Sequence, residues 1–143
     1  MSKVNLVNRA KNFCEMKKYR FTIPRERVLT ALAKRNKPMG AYQIIETLST
    51  DKEKINPPTV YRAIEFWIKH GFIHRIESMN AYIACCGFHK HENFCMFICN
   101  NCNMVTELTM DKFPSGITEQ ILNKGMTIMS SFTEIYGKCC QCN

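Results

Sequence analysis

Two C-x-x-C pairs stand out in this 143-residue chain: "CNNC", Cys99 to Cys102, and "CCQC", read as Cys139 to Cys142. Thiols three positions apart reach one ion from a tight turn, and four thiolates in tetrahedral array favour zinc while leaving no open position for catalysis. The spacing therefore predicts a structural zinc site of Cys99, Cys102, Cys139 and Cys142. Such a site would pin the last residues, which otherwise fray, onto a strand far upstream. Cys140 turns away inside the second pair, and Cys14 and Cys95 read as packing or spare thiols. A lone C-x-x-C also suits redox chemistry, but two without a suitable βαβ pattern favour the metal.

The rest of the composition sets the compartment. Nine cysteines form an odd set that fits disulfides poorly, and the N-terminal stretch has no apolar run long enough for a signal peptide or a membrane span. A cytoplasmic protein with no membrane role is expected, in a compartment that keeps thiols reduced. Hydrophobic residues make up 45% of the chain, enough to give one ordinary domain or two small ones a real core.

Charge and thiols divide the chain in opposite ways. Residues 1–75 carry 16 Lys and Arg against 6 Asp and Glu, a net of +10, whereas residues 76–143 carry 4 against 6 and eight of the nine cysteines. A basic half suits a partner rich in phosphate, because each neutralised phosphate releases counterions; a solvated lysine-rich surface is the plainer alternative.

The elements that must position these residues follow from periodicity. Leu6, Ala10, Phe13 and Cys14 recur at a helical period. Thr22 suits the N-cap of a second helix with Pro24 in its first turn and Val28, Leu29 and Leu32 facing inward. "AYQIIETLS" predicts a short third helix that buries Ile44, Ile45 and Leu48. Asn56 as cap and Pro57 as first residue open a fourth, whose stripe is Val60, Ala63, Ile64 and Trp67, and Gly71 ends it. "FIHRIESMNAYIAC" then alternates on either side of Met79 and Asn80, a β-hairpin. Three helices and a hairpin make a winged helix, with the first helix as an addition. Beyond it, "FCMFIC" and "VTELT" read as strands, "DKFPSGITEQILNKG" as a helix starting after Pro114, and "MTIMSSFTEIYG" as a closing strand. The fold class is α+β: an N-terminal winged-helix DNA-binding domain over 1–84, then a hinge and a small α/β domain over 85–143.

On the fourth helix, Thr59, Tyr61 and Arg62 sit in the first turns and off the buried stripe, where a recognition helix presents side chains to the major groove. Arginine can bind guanine bidentately, tyrosine can bond phosphate or pack on a thymine methyl, and a helix N-terminus attracts phosphate. No phosphate-binding glycine loop and no nucleophile elbow occurs. No enzyme and no small-molecule substrate is therefore expected.

The string "PPTVYRAIEFWIKHGFIHRIES", with "TIPRERVL" before it and "CNNC" after it, resembles the ferric uptake regulator family, and most closely its zinc-sensing branch. The likeness runs from about Thr22 to Cys142. It implies a metal-loaded homodimer, joined through the C-terminal unit, that represses transcription from a palindromic double-stranded DNA operator. It implies that Tyr61 and Arg62 contact DNA and that Arg25 matches the family's arginine at the start of the second helix. It also implies a second, regulatory zinc held by His74, Cys85, His91 and Glu107, with His89 as the alternative to His91, for about two zinc ions per chain. Apart from the likeness, His74 reads equally as a core histidine beside Phe72 and Ile76, "HKH" as a polar linker and Glu107 as a solvent-facing strand residue. Cys86 could replace Cys85, although strand alternation lets only one of them face a site. The thiolate favours zinc over iron or manganese; a relative sensing iron, manganese or peroxide is the alternative, and a zinc-ribbon module without DNA is a reading from another class.

Overall fold

The computed structural model describes residues 3–35, 37–50, 53–87, 94–110, 114–129 and 131–143. The chain forms two compact units, Met1–Gly87 and Phe88–Asn143.

The first unit contains α1 (Lys3–Lys17), α2 (Ile23–Ala33), α3 (Ala41–Leu48), α4 (Pro57–Lys69), β1 (Ile73–Ile76) and β2 (Ala81–Ala84). The predicted stripes are the ones that fold inward. Leu6, Ala10 and Cys14 from α1, Val28, Leu29 and Leu32 from α2, Ile44 and Leu48 from α3, and Val60, Ala63, Ile64 and Trp67 from α4 share one core. Phe13 and Ile45 lie at its margin. Burial of this α4 face leaves Tyr61, Arg62 and Glu65 exposed, because residues one and two positions from the stripe must point elsewhere.

Thr22 and Asn56 occupy the N-cap positions of α2 and α4, but neither side chain makes a capping hydrogen bond. For α4 the reason is local. Pro57 and Pro58 have no N–H to donate, and the Thr59 N–H, the first available donor, bonds the Asn56 carbonyl at 3.0 Å. Gly71 ends α4 with φ at +74°, a conformation that suits glycine.

β1 and β2 pair antiparallel from Ile73 opposite Ala84 to Ile76 opposite Ala81. A turn of 3₁₀ helix over Glu77–Met79 joins them, and Asn80 closes it at φ +44°. Arg75 donates to the Asn80 side-chain oxygen at 3.0 Å and pairs with Glu77 at 3.5 Å, which fastens the hairpin tip. Met39 bonds Tyr82 in both directions, at 2.9 and 2.8 Å, so the segment before α3 adds a third edge to the wing. β2 stops at Ala84. The ladder still reaches one residue further, since the Cys85 N–H bonds the Phe72 carbonyl at 3.0 Å, and Cys85 is buried whereas Cys86 is half-buried.

The second unit orders its strands β4–β3–β5, with β3 (Phe94–Cys99) antiparallel to β4 (Val105–Thr109) and parallel to β5 (Glu134–Gly137). α5 (Ser115–Asn123) starts after Pro114 as expected and lies between β4 and β5; β4 has already returned the chain to the start of β3, which lets β5 pair parallel to β3. The closing strand is shorter than expected: only Glu134–Gly137 pairs. Met126, Ile128, Met129 and Phe132 before it are exposed, so their apolar pattern does not report burial within the chain.

Trp67 is fully buried, packs on Phe21, Phe66 and Phe72, and donates its indole N–H to the Arg25 carbonyl at 2.8 Å. Trp67→Ala is expected to cost about 3–5 kcal/mol, measured as a lowered urea midpoint by far-ultraviolet circular dichroism.

Candidate functional site

The four-cysteine centre is built by two turns brought together by the β3–β5 pair. β3 ends at Cys99, and a knuckle follows: the Cys99 N–H bonds the Met104 carbonyl at 2.9 Å, the Asn103 N–H bonds the Cys99 carbonyl at 2.9 Å, and Asn103 takes φ +56°. Asparagine tolerates that left-handed conformation better than most residues. On the other side, β5 runs beside β3 with Gly137 opposite Cys99, and the Asn100 N–H bonds the Gly137 carbonyl at 2.9 Å. A Cβ on Gly137 would stand 2.9 Å from the Phe97 ring, so glycine permits this approach. The chain then turns through Cys139, whose carbonyl receives the Cys142 N–H at 3.0 Å.

The outcome is four sulfurs within 4.8 Å of one another, from Cys99, Cys102, Cys139 and Cys142. The Cys102 and Cys139 Sγ atoms are 3.7 Å apart, and the Cys139 N–H points at Cys99 Sγ from 3.3 Å. Backbone donors at Cys102 and then Cys139 pull Cys99 down to about 6, so one thiolate is favoured in advance. Cys142, which shares hydrogen bonds first with Cys139 and then with Cys102, is pushed up to about 12. Four sulfurs this close cannot all ionise without a cation among them, and the donor set fits zinc. Cys140 is exposed.

A second group sits at the end of the wing. His74, on β1, is buried, and its register partner is Ile83. Cys85 is buried just past β2, with a ligand atom within 4.8 Å of that of His74. His74 makes other contacts, while its Nε2 is a buried nitrogen that forms no hydrogen bond among the described residues. The Gly87 N–H donates to Cys85 Sγ at 3.2 Å. One imidazole and one thiol so placed suit a thiophilic divalent ion. In the other unit, Glu107 lies half-buried on β4 opposite Met96. His89 and His91 lie outside the described residues.

The candidate nucleic-acid face is the start of α4. Tyr61 is 46% exposed, Arg62 is exposed and Thr59 is half-buried. With prolines at its first two positions and the Thr59 N–H engaged, this helix end offers phosphate fewer amides than the sequence argument assumed. What this end offers a nucleic acid is mainly side chains. Arg25 is half-buried: its guanidinium lies 3.5 Å from the Phe66 ring centroid and donates to the Arg20 carbonyl. It braces the start of α2 against α4, which the sequence did not reveal.

Burial also shifts two groups near that brace. His70 is lowered, by desolvation and then by the Lys69 and Arg25 charges, and it lies among Phe13, Tyr19 and Phe66. Cys14 is raised by desolvation, which Arg25 partly opposes. Both belong to the packed side of the unit rather than to a reactive site.

A winged helix whose reading helix exposes an arginine and a tyrosine, carried on one chain with a sheet closed by four thiols, defines a metal-dependent DNA-binding regulator. The chain belongs to the ferric uptake regulator family, a family of transcription regulators, which matches residues 16–136. It is 29% identical over 138 residues to the zinc uptake regulation protein of Escherichia coli (strain K12), covering 96% of this chain and 81% of that protein. Among solved structures it is similar to a zinc uptake regulator complexed with zinc and DNA, with a TM-score of 0.89 at 27% identity, covering 99% of this chain and 95% of the other. It is also similar to holo XcZur, with a TM-score of 0.84 at 29% identity, covering 98% and 97%.

Cys102→Ser is expected to eliminate the structural zinc and to lower the melting temperature of the second unit, whereas Cys140→Ser keeps both. Zinc content by atomic emission after dialysis against a mild chelator, beside a melting curve, checks the pair.

Proposed function

We propose that this chain is a zinc-responsive transcriptional repressor that binds a palindromic operator as a homodimer and represses genes for zinc uptake. The observation that carries the zinc response is the His74–Cys85 pair at the end of the wing. Cys99, Cys102, Cys139 and Cys142 hold a structural zinc. His74, Cys85, Glu107 and His91, or His89 in place of His91, hold the regulatory one. For Glu107 and the histidines of "HKHENF" the support is the likeness to the zinc-sensing branch and the fit of two imidazoles, a thiolate and a carboxylate to zinc. With the domains divided between residues 84 and 85, His74 would lie before the hinge and Glu107 beyond it.

The self-partner has support from the second unit. Among its described residues α5 buries no side chain, and Leu108, Ile117, Leu122, Phe132 and Ile135 are all exposed. An amphipathic helix and two strands with so much uncovered apolar surface need a partner of like character, and a second copy supplies one.

The chain's own residues then act as follows. Arg62 and Tyr61 meet base edges and phosphate, Thr59 sits at the start of the same helix, and Arg25 keeps α4 in place while turning its spare N–H groups toward phosphate. Zinc at the second site selects the orientation of the reading units in which two α4 helices match operator half-sites, and DNA affinity rises with zinc by linkage. The role is regulatory rather than catalytic. The setting is the cytoplasm, where thiols stay reduced and DNA is accessible; among the described residues no helix is long and apolar enough to cross a membrane.

In a gel-shift titration against buffered free zinc, Cys85→Ser is expected to need at least about tenfold more zinc for operator binding. An identical zinc response would remove Cys85 from the sensing site. Arg62→Ala is expected to lose about 1–3 kcal/mol of operator discrimination while keeping dimer mass and zinc content, as judged by competition with non-specific DNA and by light scattering.

A further inference from the structure

α1 lies outside the three-helix core of a winged helix, yet one of its side chains reaches the residues around Cys85. Gly87 holds φ at +78°, a left-handed conformation that aims its N–H back at Cys85 Sγ, 3.2 Å away. A Cβ built on Gly87 would run into Nη1 of Arg9 and stand 2.8 Å from its Cζ. Two independent constraints, backbone conformation and close approach, thus call for glycine here. The Arg9 guanidinium also lies 5.9 Å from the Phe72 ring centroid, and the Phe72 carbonyl accepts the Cys85 N–H at 3.0 Å. Gly87 and Phe72, whose backbones bond Cys85, thus both lie against Arg9.

Arg9 Nη1 is buried and makes no hydrogen bond among the described residues, and the guanidinium lies against Gly87 and near the Phe72 ring. A buried donor left in this way calls for an explanation.

We propose that Arg9 is a positioning residue for the zinc ligand Cys85. Its planar guanidinium fills the space against Gly87 that a side chain would otherwise occupy and rests on Phe72. The Gly87 turn stays closed, its N–H stays on the sulfur, and Sγ keeps its place beside His74. Partners of this kind orient a ligand and tune its hold on the ion, and their loss weakens metal binding without removing a donor. The first helix thereby takes part in setting the zinc response. This inference rests on the reading of His74 and Cys85 as regulatory ligands.

Arg9→Met, which keeps the stem and removes the guanidinium, tests it in the full-length protein with zinc retained in the four-cysteine site. Competition with a chromophoric chelator is expected to show the second zinc bound about tenfold more weakly. Cobalt in that site is expected to show a shifted sulfur-to-metal charge-transfer band, while operator affinity at saturating zinc matches the wild type. Gly87→Ala is expected to weaken the same site, and combining it with Arg9→Met should add less than the sum, because both break one contact. An unchanged affinity for the second zinc in Arg9→Met overturns the proposal. A weakened affinity with an equally weakened four-cysteine site, or with a lowered urea midpoint of the metal-free helical unit, also overturns it, since general packing would then account for the effect. Cys85→Ser in the same assay separates the two readings: if it leaves the second zinc untouched, the sensing site itself is misassigned, whereas a response to Cys85→Ser without one to Arg9→Met removes Arg9 alone.

Discussion

The second unit depends on four sulfurs held within 4.8 Å. Its described buried side chains are few: Cys95, Met96, Ile98, Cys99 and Cys139. Burial of one side chain such as Ile98 contributes about 1.5–3 kcal/mol, whereas a structural zinc of this type is worth about 10–16 kcal/mol in folding. The metal therefore outweighs any single apolar contact there. It also acts at the right place. β5 is four residues long and, among the described residues, pairs only with β3, so without the knot at Cys139 and Cys142 this edge strand would have little to hold it. The same shortage of core explains the apolar surface left on α5 and around β5, and it makes metal and a second copy complementary sources of stability.

The first unit has the opposite economy. Its core draws on all four helices and the wing. That rigidity holds the exposed face of α4 in place, which the proposed reading of base edges by Arg62 requires. Trp67 and Arg25 supply the hold from beneath: the indole bonds the Arg25 carbonyl while the Arg25 guanidinium stacks on Phe66, one turn beyond Arg62. Prolines at the start of α4 add to it by fixing the backbone and removing two donors, at the cost of amides that could have met phosphate.

Legibility in the sequence followed the range of each interaction. Helical stripes such as Val60, Ala63, Ile64 and Trp67 are local patterns, and they led to the right elements and the right buried faces. The two C-x-x-C pairs were readable because each is a local turn with its own chemistry; only their union, across forty positions of sequence, required the fold. Other readings were less secure where a neighbour overrode the usual rule. Asn56 has a capping side chain, but the prolines after it leave little to cap. "MTIMSSFTEIYG" has strand-like residues, yet most of it is apolar surface rather than paired strand. Cys85 and Cys86 lie past the strand whose alternation was to tell them apart, and what distinguishes Cys85 is the nearby His74 and the Gly87 N–H.

Arg9 marks the limit of such reading. Nothing in "NRAKNF" distinguishes this arginine from the other cations of the basic half, and a glycine after two cysteines suggests only a turn. Their meeting is a long-range contact between the first helix and the residues just past β2, fixed by the way Leu6, Ala10 and Cys14 set α1 into the core. Once α1 is docked by that stripe, Arg9 lies one position before Ala10 and must emerge at the edge of the buried face. That edge is where the chain leaves the wing. A helix added to a winged unit for packing alone would be served there by an alanine or a leucine. A long, planar cation that only a glycine can accommodate is a more demanding choice, and the group it presses on is the peptide that bonds the sulfur of Cys85.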